Sequence, residues 1–109
     1  MTILLLIWVH FIADFVFQSH AMAMNKSKSL KWLSLHVLVY ALCFVWCGFL
    51  FAIIAGLTHL IVDGITARGT ARLWQRGEAH WFFVLIGLDQ AIHLSILVYL
   101  ASALPLWWS

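Results

Sequence analysis

The chain has 109 residues, 65% of them hydrophobic and only 9% charged, with a formal net charge of +2. A soluble domain of this size normally carries about 25% charged residues, and here apolar runs of membrane-spanning length fill most of the sequence. The slight positive balance carries no nucleic-acid signal, so the composition points to one compact integral membrane domain, residues 1–109.

The first apolar segment covers residues 3–24. It has no basic leader, and His10 and Asp14 interrupt its apolar run, so it reads as a span and not as a signal peptide. In the stretch HFIADFVFQ, residues 10–18, His10, Asp14 and Gln18 recur every four residues and share one helical face. The second segment, 30–46, carries His36 and Tyr40 at the same spacing. Cys43 and Cys47 continue that stripe; two cysteines four apart on one helix are poorly placed for a disulfide and read as packing residues. Gly48 is the natural turn into the third segment, 49–67, which carries His59 and Asp63. Ala52, Ala55, Gly56, Thr66 and Ala67 lie on or near that face and let a neighbouring helix approach closely. Arg68, Arg72 and Arg76 then repeat every four residues, as on a short interfacial helix that contacts lipid headgroups or a phosphorylated substrate. The fourth segment, 81–104, carries Asp89, Gln90 and His93 and stops at Pro105. His20 and His80 fall at loop edges, where they are solvated.

Continuous apolar character makes these segments helices, because only helices and closed barrels satisfy the backbone in lipid. Strict apolar/polar alternation is absent, which argues against a barrel. The fold class expected is therefore all-α: an integral membrane four-helix bundle. All six basic residues, Lys26, Lys28, Lys31, Arg68, Arg72 and Arg76, fall in the loops after segments one and three. The positive-inside rule makes those loops cytoplasmic and puts both termini outside. Trp32, Trp74 and Trp81 then belong near the inner interface and Trp46, Trp107 and Trp108 near the outer one, while Trp8 fits less well.

Each span thus holds one i,i+4 pair of ligand-capable or acid/base side chains, at compatible depth in the cytoplasmic half. An aspartate at a helix centre costs roughly 2.5–3.5 kcal/mol even on the translocon scale. Three of the four acidic residues are placed this way, so they must face the bundle interior and be neutralised there. A divalent metal does this well, and helical bundles build such sites from i,i+3 or i,i+4 pairs. His10, Asp14, His59, Asp63, Asp89 and His93 are the expected ligands for one or two ions, zinc first, with no organic cofactor. His36 is the expected general base or a further ligand, and Tyr40 a proton donor or polarising group. Gln18, Gln90, Arg68 and Arg72 are expected around a small or lipid-like substrate reached from the cytoplasm.

The reading these residues favour is a membrane-embedded, metal-dependent hydrolase. A metal-ion or proton transporter could use the same residues as a relay, although the outer half offers it little beyond Cys43, Cys47 and Ser102. A non-catalytic interaction protein held together by a polar network is the third reading. Membrane lipid is the evident partner, and homo-oligomerisation is left open.

VHFIAD and THLIVD, 49 residues apart, suggest an internal repeat of a two-helix hairpin. Taken together, HFIADFVFQ, Asn25-Lys26, HVLVY, THLIVD and LDQAIH resemble the small bacterial and phage membrane-protein family DUF3307 along nearly the whole chain. The resemblance implies four helices and a multi-pass location in the bacterial inner membrane; it implies no reaction. The helical His/Asp pattern is also similar to that of small membrane-bound metal-dependent hydrolases, by analogy alone.

Overall fold

The structure, a computed structural model, describes residues 2–18, 25 and 28–104. Residues 19–24 at the end of the first segment, with His20, and Lys26, Pro105, Trp107 and Trp108 lie outside the described residues. The described chain is all-α, with four helices and no strand. Helix α1 (Thr2–Phe11) continues into a π-helical turn, Ile12–Val16. Helix α2 (Leu30–Leu42) ends in a 3₁₀ turn, Val45–Cys47. Helices α3 (Phe49–Gln75) and α4 (Ala79–Ala103) are the long pair. These two pack on each other most extensively, α2 lies against α3, and α1 lies against α4.

Gly48 makes the α2–α3 connection with φ of 123°, a backbone conformation that side-chain-bearing residues avoid. The resulting hairpin is tight enough that a Cβ on Gly56 would stand 3.0 Å from that of Ala41. This close approach brings His36 on α2 near His59 on α3.

Helix α3 does not stop near residue 67, where the apolar run ends, but continues to Gln75. Hydropathy drops at Arg68, but Arg68, Ala71, Arg72, Leu73 and Gln75 are good helix formers and carry the helix past Gly69 and Thr70. Arg68 and Arg72 therefore extend α3 and do not begin a separate interfacial helix. The helix closes with Gly77 at φ of 73°, where Gly77 N–H donates to Trp74 O and Glu78 N–H donates to Leu73 O, both at 3.0 Å. That pairing is the Schellman closure, which favours glycine at the left-handed position.

The distribution of side chains is inverted relative to a soluble bundle. On α3, Ile53, Leu57, Ile61 and Ile65 form an outward stripe, 56–70% exposed. The opposite face buries Ala52, Ala55, Gly56, His59, Asp63 and Thr66. The other helices follow suit: His10, Asp14, His36, Asp89 and His93 are buried while Leu4, Trp8, Leu38, Leu88 and Tyr99 are exposed. Helices α3 and α4 are each long and apolar enough to cross a membrane; the α1 region, Ile3–Val16, and α2 are shorter apolar helices.

Two layers fill the interior. At one end Leu6, Phe44, Cys47, Phe51, Leu97 and Leu100 form a packed apolar cluster, and Tyr40 joins it to the polar layer. Beyond the polar layer, a cavity of about 540 Å³ opens among the π turn, α3 and α4.

Candidate metal centre

The π turn sets the position of Asp14. In a regular α-helix, residues four apart drift by about 40° in one direction. Leu6, His10 and Asp14 are nonetheless all buried. The wider π turn, marked by Phe17 N–H donating to Ile12 O at 2.8 Å, takes up that drift and keeps Asp14 on the interior face.

Asp14 Oδ1 lies 2.9 Å from His36 Nε2 and 3.5 Å from His59 Nε2, and the two Nε2 atoms are 3.1 Å apart. Three helical segments therefore aim one ligand atom each at a common point. The ~3.3–3.4 Å edge of a tetrahedron of ligands about 2.0–2.1 Å from zinc falls within this range. Asp63 Oδ2 sits slightly farther out, 3.7 Å from His36 Nε2 and 3.9 Å from His59 Nε2. The ring of His59 is clamped between Tyr40 and His93, with centroids at 3.9 and 4.0 Å. Nδ1 of His36 is buried without a hydrogen-bond partner among the described residues, so packing and its Nε2 contacts hold that ring.

His59, Asp63 and His93 form a second group whose ligand atoms lie within 4.8 Å of one another, and Asp14, Asp89 and His93 form a third. All are buried, and no lysine or arginine is buried with them among the described residues. Such donors, two imidazoles and a carboxylate in the first two groups and two carboxylates and an imidazole in the third, suit zinc and other divalent transition metals. The chain's buried His and Asp side chains could thus hold a metal ion.

A family model described as "Protein of unknown function (DUF3307)" matches residues 1–107. The chain belongs to this family. No curated protein and no solved structure matches it.

His10 stands apart from the convergent set. Gln90 donates its amide to Asp89 Oδ2 at 3.1 Å, which turns Gln90 Oε1 toward His10 Nε2 at 2.6 Å. A carbonyl oxygen only accepts, so Nε2 of His10 carries the proton. Nδ1 then accepts from the Tyr40 hydroxyl at 2.9 Å. With both ring nitrogens engaged in hydrogen bonds, His10 lies outside the three ligand groups. It acts here as a buried connector between Tyr40 and Gln90.

Gln18, Asp63, Asp89 and Gln90 line the cavity together with Asp14, and Lys28 stands at its exposed edge. Arg68 and Arg72 do not line it; both are exposed on the α3 extension. His80, as expected at a loop edge, is exposed. Thr66, read from the sequence only as a small packing residue, donates to Asp89 Oδ1 at 2.5 Å. Its position three residues after Asp63, on the same face, was the available signal.

Proposed function

We propose that this protein is a membrane-embedded, metal-dependent hydrolase of the bacterial inner membrane that takes an amphiphilic substrate from the cytoplasmic side. The observation that carries the reading is the convergence of Asp14 Oδ1, His36 Nε2 and His59 Nε2 beside a cavity lined by further carboxylates. Apolar side chains facing outward around a His/Asp interior support insertion of all four helices in lipid. Both termini would then lie outside, with Lys28 and Lys31 and the arginine-bearing end of α3 in the cytoplasm. A 27-residue helix is about 40 Å long, roughly 10 Å more than the hydrocarbon core, so the end bearing Arg68 and Arg72 projects into the headgroups and beyond.

The geometry supports an exchange of two roles. His36 belongs to the tightest ligand group and does not line the cavity, whereas Asp63 is looser and does. We assign His36 as ligand and Asp63 as the general base beside the open fourth position. A divalent ion there would lower the pKa of its water toward neutrality and polarise the substrate oxygen. Asp63 takes the proton from the attacking water and returns it to the leaving group, so that water is added across the broken bond. Trp74, Phe82, Phe83 and Ile86 offer an apolar wall for a chain, and Lys28 offers a cation for an anionic head. Tyr40, His10 and Gln90 hold Asp89 in place from the far side.

A transporter needs a polar route through the other end. There Phe44, Cys47, Phe51 and Leu97 are packed at 0–1% exposure, which favours the hydrolase over the relay. The test is elemental analysis of the detergent-purified chain together with hydrolysis of fluorogenic single-chain ester and phosphoester amphiphiles. Bound transition metal with chelator-sensitive hydrolysis is expected; absence of both would overturn the reading. Topology is checked separately. A C-terminal phosphatase fusion should be active and a C-terminal cytoplasm-reporting fusion silent; the reverse pattern would refute the orientation.

A further inference from the structure

The site described above uses Asp14, His36, His59 and Asp63, which leaves Asp89 and His93 without a catalytic role. Both are buried, at 6% and 2% exposure. Asp89 is oriented by two donors, the Thr66 hydroxyl on Oδ1 and the Gln90 amide on Oδ2, the kind of support a ligating carboxylate receives. His93 Nε2 lies 3.1 Å from Asp89 Oδ1 yet makes no hydrogen bond among the described residues. A nitrogen and an oxygen this close but not aligned for an N–H···O bond have the arrangement of two lone pairs directed at a common third point.

We propose that Asp89 and His93, with Asp14, hold a second divalent ion, so that the centre is binuclear with Asp14 as the bridging carboxylate. This rests on the metal reading of the first site. Three observations carry it. Asp14 belongs to both ligand groups, and its two oxygens face different ways: Oδ1 toward His36 and His59, Oδ2 toward the His10 side at 3.8 Å from His10 Nε2. The rings of His59 and His93 stack with centroids 4.0 Å apart and planes 27° from parallel. That spacing is comparable with the roughly 3.5–4 Å separation of two-metal hydrolytic sites, so each ring can belong to a different ion. Charge is the third. One divalent ion leaves one of the three buried carboxylates uncompensated, with no buried lysine or arginine among the described residues to pair it. Two ions compensate all three and leave a single positive charge for an anionic group of the substrate. Two metals bridged this way favour phosphoester over carboxylic ester substrates, because a pair of ions can clamp both the attacking and the leaving oxygen.

The experiment is Mn²⁺ loading of the metal-stripped full chain in lipid nanodiscs, read by elemental analysis and by electron paramagnetic resonance. Two Mn²⁺ per chain with a spin-coupled spectrum are expected. Asp89→Asn and His93→Gln, shown to be folded by circular dichroism, should each fall to one Mn²⁺ with an isolated-ion spectrum. Saturation of the unsubstituted chain at one Mn²⁺ with an isolated-ion spectrum overturns the second site and leaves the first standing. No bound Mn²⁺ at all removes both. Should either variant fail to fold, the stoichiometry and spectrum of the unsubstituted chain decide the question alone.

Discussion

Asp14→Asn should empty the centre. The amide keeps the volume and one oxygen of the side chain but loses the charge and the second ligating oxygen, at the residue nearest His36 and close to His59. Removing a mere supporting partner of a metal ligand typically costs about 10–100-fold in affinity, so loss of this ligand should exceed ~100-fold, and hydrolysis should fall with it. The helices should remain inserted, because an uncharged amide is cheaper to keep in an apolar interior than a carboxylate. Metal content at micromolar free zinc, measured beside far-ultraviolet circular dichroism, is the check. A folded variant with undiminished metal would place the ion elsewhere.

Asp63→Asn should change sign with metal. In chelator, Asp14, Asp63 and Asp89 are three carboxylates sharing one buried layer, and removing one charge relieves both burial and mutual repulsion. The variant should therefore unfold at a higher temperature than the parent in chelator. With metal bound, the same carboxylate attracts the ion, and its loss should weaken binding, lower the unfolding temperature and cut hydrolysis by about 10²–10⁴-fold, the usual contribution of a general base. A purely structural network predicts the same direction in both conditions. Unfolding curves of parent and variant, each with and without chelator, therefore separate chemistry from architecture in four measurements.

The polar faces were legible in the sequence because residues four apart share a helical face whatever the tertiary arrangement. Gly48 was legible as a turn because it breaks two apolar runs. The role of His10 was not, since it depends on where Tyr40 and Gln90, thirty and eighty residues away, point their side chains. That Asp63 and not His36 borders the cavity was hidden for a similar reason: they sit on HxxxD and HxxxY faces, and only the packed bundle decides which one does. The end of α3 was misplaced because hydropathy reports where the apolar run ends, and the helix runs past that point.

The π turn after α1 makes chain length itself part of the centre. One residue more within 12–16, where the π turn already holds an extra residue, would turn everything on its N-terminal side by about 100° about the helix axis. Leu6 would leave the apolar cluster and His10 would leave Tyr40 together, although neither had been substituted. Substitutions along this stretch can be judged one position at a time, by exposure and volume. A further insertion there is a rotation, and it turns part of the outward row of α1 inward in a single step.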